Sequence, residues 1–407
     1  MDFPALKEFG LQDYPFICAQ CSYCQSGHGA CPTYKVKRTD SYTGKGKMLL
    51  TRALLQGRID PAYGLQGLAD AIYGCTLCGG CAEVCQTDIP FVKIYQVLRG
   101  EFKKRGMWPE NMNLTKETLL KACNIQGQAQ MDRIEGWSYW TPNEDELLDK
   151  QGQPSETAFF FGCGSSYRGI AIQATIATTL ILDKIGEDYT VLGEEEYCCG
   201  APLIMMGDFE GARTLAEHNI AKYKELGVKQ IFTNCPGCYK MWAHEYKEFL
   251  DIDHGFKIRY GYEYISDLIK QGKIEFTNPL NIKLTYHDGC DAGRNGGYYD
   301  EPRDVIKSLP GVEFEELPHN KESCYCCGSG GVLRAVDGGF AADISKLKAD
   351  DVKRTEADVV ASGCPSCVEY LKDQLPQADC NKVVKDLMVL VAEAMGLTWD
   401  GLGEIYD

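Results

Sequence analysis

The chain has 407 residues, 44% of them hydrophobic and 25% charged, with a formal net charge of −16. That length accommodates two or three domains with separate cores, and the acidic balance argues against nucleic acid or an anionic membrane as partner, since either selects a basic face. The start, MDFPALKEFGLQDYPF, has no basic region followed by an apolar core. The most apolar runs, 170–182 and 383–397, are too short or too polar to span a bilayer, so no direct membrane insertion and a cytoplasmic location are expected.

Residues 1–105 read as a first, helical unit, with helices expected over 46–55, 65–73 and 91–104. It holds two cysteine groups: Cys18, Cys21, Cys24 and Cys31, then Cys75, Cys78, Cys81 and Cys85. The second group has the x2, x2, x3 spacing of bacterial ferredoxins. Two-residue gaps let one tight loop place three thiolates around a cube, and the three-residue gap turns Cys85 toward a neighbouring cube. Cys75, Cys78 and Cys81 are therefore expected to share a cubane 4Fe-4S cluster with Cys31, and Cys18, Cys21 and Cys24 to share another with Cys85. Zinc sites use two pairs, whereas these are triplets plus a fourth. Two features depart from the ferredoxin pattern. The spacer QSGHGA before Cys31 has six residues instead of three, and Gln86 rather than proline follows Cys85. The longer loop could bring His28 near a cluster, although a solvated loop histidine is the plainer reading. Residues 106–154 form a connector with Trp108, Pro109, Trp137, Trp140 and Pro142 and a helical piece over 114–123.

From residue 155 the sequence repeats, as one unit over 155–275 and a second, with a C-terminal helix, over 276–407. The strand-like TAFFFGC ends on Cys163 and IKLTYHDGC on Cys290, 127 positions later. Cys199 maps to Cys327 at 128, and Cys235 and Cys238 map to Cys364 and Cys367 at 129. In each copy a second strand (DYTVLG, VEFEELP) leads toward Cys-Cys-Gly, at Cys198-Cys199-Gly200 and Cys326-Cys327-Gly328. A long helix follows (207–226, 341–355). A third strand (KQIFTNC, ADVVASGC) then ends on Cys-x-x-Cys. Alternating strands and helices predict an α/β fold with parallel sheets, the cysteines at the carboxyl ends of the strands. Five thiolates per copy exceed the needs of one cubane, and an adjacent pair suits a bridging thiolate. A disulfide between adjacent cysteines is strained, and the glycine after each pair allows a tight turn.

These motifs resemble the CCG domains of the catalytic subunit of heterodisulfide reductase, here fused behind a ferredoxin-like unit, and also the iron–sulfur subunits of glycolate and lactate oxidases. The resemblance spans roughly 15–375 and implies one noncubane 4Fe-4S cluster per copy. Cys163, Cys198, Cys199, Cys235 and Cys238 would hold one, and Cys290, Cys326, Cys327, Cys364 and Cys367 the other. It further implies that the two face each other across a disulfide, with Cys199 and Cys327 as catalytic cysteines. Both final motifs, TNCPGC and SGCPSC, are intact, which favours the reductase side. The stretch YHDGCDAGR departs from the pattern, with Gly289 and Asp291 where relatives show proline and histidine.

Around that departure His287 is a candidate proton source, or a packed histidine at a strand end. Arg294 would steer an anion or pair with a carboxylate. Cys123, Cys324 and Cys380 fall outside the patterns and read as small buried hydrophobes. Tyr23, Tyr34, Tyr197 and Tyr325 are expected to pack over clusters. No Gly-rich phosphate loop follows a strand, so no flavin or NAD is expected on this chain. Electrons would come from flavin- or iron–sulfur-containing redox subunits of a larger complex. Two functions fit: an oxidoreductase subunit that reduces a disulfide, or a pure relay to a separate catalytic subunit such as a class II benzoyl-CoA reductase or a lactate or glycolate dehydrogenase.

Overall fold

A computed structural model describes residues 1–18, 21–26 and 31–401. Helix α1 (Gly44–Leu55) starts where the Thr43 hydroxyl accepts from the Gly46 N–H at 2.8 Å. Helix α2 (Pro61–Tyr73) begins four residues before the expected start, because Asp60 caps the Ala62 N–H at 2.9 Å and Pro61 takes the first position. Helix α3 (Phe91–Lys104) buries Phe91, Ile94, Tyr95, Leu98 and Phe102 at helical spacing. Helix α4 (Asn111–Ala122) comes from the connector.

The remainder is two parallel sheets. The first half contains β1 (Thr157–Phe159), α5 (Gly169–Lys184), α6 (Phe209–Glu225), β2 (Gln230–Thr233) and β3 (Lys257–Tyr260). The second contains β4 (Ile282–His287), β5 (Val312–Phe314), α7 (Gly338–Val352), β6 (Val359–Ser362), α8 (Pro365–Gln377), β7 (Val383–Asp386) and α9 (Leu387–Ala394). The strand orders are β1-β2-β3 and β5-β4-β6-β7. In register, Phe159 lies beside Phe232, Thr233 beside Tyr260, and Thr285 beside Val360.

Two expectations are corrected. DYTVLG does not form a strand. Thr190 makes a single parallel bridge to Ala158, and Val191 is then taken over by Gln151 of the connector. The bridge still occupies the edge that β5 occupies in the other half, so the duplicated order survives. Strands β3 and β7 were not anticipated. Each is four residues long and runs straight into a helix, so its alternation merges with the helical pattern.

The apolar run 170–182 is explained by position. Every residue of α5 from Ile170 to Leu182 is buried, and the helix packs on α8, α9 and β7 of the other half. Its threonines are satisfied internally: Thr175 donates to the Ser165 carbonyl at 2.8 Å and Thr178 accepts from Asn234 at 2.7 Å. The run 383–397 divides into β7 and α9. Among the described residues no helix is long and apolar enough to cross a membrane.

Candidate metal centres

In the N-terminal unit Cys18, Cys21, Cys24 and Cys85 line one cavity of about 310 Å³ with Ile17, Tyr23 and Lys45. Cys31, Cys75, Cys78 and Cys81 line a smaller one with Gly44 and Tyr95. The side chains thus converge crosswise, each triplet with the fourth cysteine of the other group, and Cys81 borders both cavities. Burial, then Cys24, Cys21 and Cys85, push the Cys18 thiol up to about 12. Burial, then Cys75, Cys31 and Cys78, push Cys81 well above the ordinary thiol range. The Lys45 N–H donates to Cys24 Sγ at 3.3 Å. His28 lies outside the described residues.

In the duplicated halves the first cysteine of each set follows β1 or β4, and Cys-x-x-Cys follows the neighbouring strand, β2 or β6, opening a helix (Pro236–Lys240 and α8). Gly200 and Gly328 adopt φ of 87° and 100° after the Cys-Cys pairs. A Cβ at Gly328 would meet the Ala341 carbonyl oxygen at 2.4 Å, so this turn requires glycine. Cys163 Sγ lies 3.5 Å from Cys198 Sγ, and Cys327 Sγ 3.4 Å from Cys367 Sγ. Cys199 is held below the ordinary thiol range by hydrogen bonds from Cys198 and then Cys238, and Cys326 by those from Cys290 and then Cys327. Contact with Cys198, then burial, pushes Cys163 up. Cys163, Cys198, Cys199, Cys235, Cys238, Cys290, Cys327, Cys364 and Cys367 all border one cavity of about 240 Å³. None of the 21 cysteines is in a disulfide. Buried sulfurs in mutual contact, five to a set, make a donor set suited to iron–sulfur chemistry and larger than tetrahedral zinc uses.

Charged residues surround these sets. Among the described residues Arg294 bonds to backbone and not to the carboxylate expected as its alternative partner. Its guanidinium donates to the carbonyls of Cys78 at 2.7 Å, Cys324 at 2.6 Å and Glu322 at 3.2 Å, tying the N-terminal unit to the second half. Arg99, fully buried on α3, was missed. It donates to the carbonyls of Ile72, Tyr73, Cys75, Met205 and Gly331 at 2.6–3.3 Å, joining all three units. The available signal was an arginine inside the buried face of YQVLRGEF. In the first half the buried Glu196 accepts from the Phe161 and Gly162 N–H groups, both at 2.9 Å, and from Arg133 at 2.7 Å, which fixes the turn into Cys163.

Asp291 borders the shared cavity and accepts from Asn295 at 2.8 Å, with Lys240 Nζ at 3.2 Å. Arg168 and Arg334 line the same cavity and share Glu369, at 2.6 and 3.5 Å. His287, at the end of β4, is fully buried, and its Nε2 has no hydrogen-bond partner among the described residues. A His287 ring nitrogen, Cys327 Sγ and Cys367 Sγ lie within 4.8 Å of one another. Burial, then Lys348, holds the imidazole well below its ordinary pKa.

Cys380 packs in the core as expected. Cys324 does not behave as a plain hydrophobe: Lys348 Nζ lies 3.2 Å from its Sγ and His287 Nδ1 3.6 Å. Tyr197 stacks on His218, Tyr325 lies tilted against His319, and Tyr23 is half exposed.

Comparison with known proteins agrees with this architecture. Residues 16–89 match the 4Fe-4S dicluster domain family, and residues 157–242 and 284–372 each match the Cysteine-rich domain family. A Dihydromethanophenazine:CoB--CoM heterodisulfide reductase subunit of Methanosarcina mazei is 33% identical over 93% of this chain and 93% of its own length. The EtfAB:quinone oxidoreductase of Syntrophomonas wolfei is 28% identical over 78% of this chain and 45% of its own. A crystal structure of a hypothetical protein from Helicobacter pylori shares the fold, with a TM-score of 0.53 and 11% identity over 98% of this chain and 77% of that one. With a dicluster domain, a duplicated cysteine-rich domain and end-to-end similarity of this kind, the chain belongs to the family of iron–sulfur oxidoreductases that includes the methanogen heterodisulfide reductase subunit.

Proposed function

We propose that this chain is a cytoplasmic subunit of a multisubunit redox complex, carrying electrons from two cubane clusters to two noncubane clusters and on to a disulfide. Cys18, Cys21, Cys24 and Cys85 would hold one cubane, and Cys31, Cys75, Cys78 and Cys81 the other. Cys163, Cys198, Cys199, Cys235 and Cys238 would hold one noncubane cluster, and Cys290, Cys326, Cys327, Cys364 and Cys367 the second. When bound, these groups supply one-electron chemistry. The observation that supports the reading most is one cavity of about 240 Å³ bordered by all five cysteines of the first set and by four of the second, Cys290, Cys327, Cys364 and Cys367. A disulfide bound there meets cysteines of both halves, with Cys199 and Cys327 on its walls and His287 behind Cys327 as proton source. Arg294 and Arg99 tie the Cys75–Cys78 loop to the second half, which supports a route from the N-terminal unit to that half first. Cys21 is exposed among Phe16, Ile17 and Tyr23, and a flavin- or iron–sulfur-containing subunit would deliver electrons at that edge.

A second reading has support of its own. Asp291 puts a carboxylate on the cavity wall, which favours a relay to a separate catalytic subunit. The test is the anaerobic, cluster-loaded chain with reduced viologen and a panel of disulfides. Disulfide-dependent dye oxidation is expected. Full reduction of the clusters with no turnover of any disulfide would establish the relay instead.

A further inference from the structure

The duplicated halves meet the N-terminal unit differently, and the offsets of the duplication show where. In the second half the Cys75–Thr76 backbone lies against Gly330 and Gly331. A Cβ at Gly330 would meet the Thr76 carbonyl oxygen at 2.6 Å, and one at Gly331 the Cys75 carbonyl oxygen at 2.5 Å. Glycine admits so close an approach and other residues do not. The same point at Gly330 is 3.7 Å from Cys326 Sγ, so the loop carrying Cys75 and Cys78 abuts the second cysteine set. The first-half counterparts, at 128 positions, are Pro202 and Leu203. The first half has a close approach of its own, Gly207 on Arg99 and Gly100, but that is to α3 and not to a cysteine loop.

Arg294 stands at this seam. It is partly buried and donates to carbonyls on both sides, Cys78 in the N-terminal unit and Cys324 in the second half. Its counterpart at 127 positions is Tyr167, whose hydroxyl lies 3.2 Å from Gln130 Oε1. Among the described residues Arg294 forms no ion pair with a carboxylate, whereas the other cations beside the duplicated sets do. Arg133 has Glu196 at 2.7 Å, Lys348 has Asp351 at 3.3 Å, and Lys240 has Asp291 and Glu245 at 3.2 and 3.4 Å. Arg168 and Arg334, one from each half, share Glu369. Burial disfavours the charge on Arg294, yet the sulfurs of Cys78, Cys290, Cys324 and Cys326 hold the guanidinium above its ordinary range. A cation taken partly out of water without a carboxylate is costly unless another anion answers it, and the anionic groups around this one are sulfur.

We propose that Arg294 is the counter-cation of this seam, favouring an electron on the Cys31, Cys75, Cys78 and Cys81 set or on the second five-cysteine set over one on the other two sets. This rests on the cluster assignments proposed above and not on the substrate being a disulfide. One electron leaves the first of the two seam sets and one enters the second; no bond forms or breaks. A positive charge beside a set stabilises its reduced form, which carries one more negative charge. Arginine does not lose its proton in proteins, so the bias is fixed and not tuned by pH. Arg294 ligates neither set and acts on both through its charge.

The test reads potentials and needs no turnover. The anaerobic, cluster-loaded full chain is titrated with dithionite and viologen mediators, and each set is followed by its electron paramagnetic resonance signal. The sets are told apart by the signals missing from Cys78→Ser, Cys199→Ser and Cys327→Ser. In Arg294→Gln the reduced fraction of both seam sets at a fixed potential should fall about tenfold, or about 59 mV for one electron. The other two sets, more distant and screened, should change by less than about threefold. Arg294→Lys keeps the charge and gives up the fork, so all four sets should stay within about threefold of the unaltered protein, and this variant decides the matter if the glutamine protein loads less iron. A fall in the lysine variant as deep as in the glutamine variant, an equal shift in all four sets, or no shift in any, overturns the proposal. The expected pattern in a chain that reduces no disulfide supports it and refutes the disulfide reading.

Discussion

Arg99→Met removes a side chain that hydrogen-bonds to all three units. The guanidinium donates to five carbonyls, two of them, Met205 and Gly331, in the separate halves. A hydrogen bond from a charged donor is worth about 1.5–3 kcal/mol net, and stranding a buried carbonyl costs about 1–3 kcal/mol. Against that, methionine relieves the burial of a cation, a cost of several kcal/mol. The balance is a destabilisation of about 3 kcal/mol, and at about 2 °C per kcal/mol for a large chain the melting temperature should drop by about 6 °C. Arg99→Lys should recover only part of this, since one ammonium has three donors for five acceptors. Anaerobic calorimetry measures the stability, and rapid-mixing spectroscopy after viologen reduction measures passage of electrons from the N-terminal unit to the cysteine-rich halves, which should slow. A methionine variant that melts within about 1 °C of the unaltered protein and passes electrons at the same rate would refute the assignment of Arg99 as the three-way joint.

Glu196→Gln should leave Arg133 buried without a counter-charge and cost about 3–5 kcal/mol, with iron lost selectively from the first cysteine set on iron and electron paramagnetic resonance analysis. Asp386 is buried, accepts from Tyr262 and has its carboxyl raised to about 6. Below pH 3.8 it is neutral in both folded and unfolded chains. As pH rises from there to about 6 the unfolded chain alone ionises, so stability should fall by about 3 kcal/mol. Asp386→Asn should flatten that part of the pH–stability curve in denaturant titrations. Cys78→Ser should remove one cubane signal and leave the signals of the cysteine-rich halves, so loss of every signal together would contradict separately held sets. Cys199→Ser and Cys327→Ser should each abolish disulfide turnover, and full activity in either would exclude a mechanism that needs both sets.

The spacing of the cysteines carried much of this molecule. A two-residue gap fixes which sulfurs can share a loop, so the crosswise convergence at Cys31 and Cys85 was legible before any coordinates. The offsets of 127–129 likewise gave the duplicated parallel topology. Long-range polar contacts were not legible. Arg99 meets Gly331 across 232 positions, and nothing local in YQVLRGEF indicates which carbonyls await it. A lone cysteine such as Cys324 has no pattern, and a lysine on an amphipathic helix gives no sign that, like Lys348, it is buried against Cys324 and Asp351. Strands β3 and β7 were too short for alternation to separate them from the helices they feed.

Helix α5 gives the cavity a mechanical character. Because it is buried along both sides and is shared by the two halves, opening them like a clamshell would expose the row of apolar side chains from Ile170 to Leu182 to water. On the proposed function a disulfide would then come and go past Arg168 and Arg334, which line the cavity and share Glu369. Exchange of small molecules would then be governed by rearrangement of those three side chains, a motion of nanoseconds to microseconds, and not by the slower swing of whole domains.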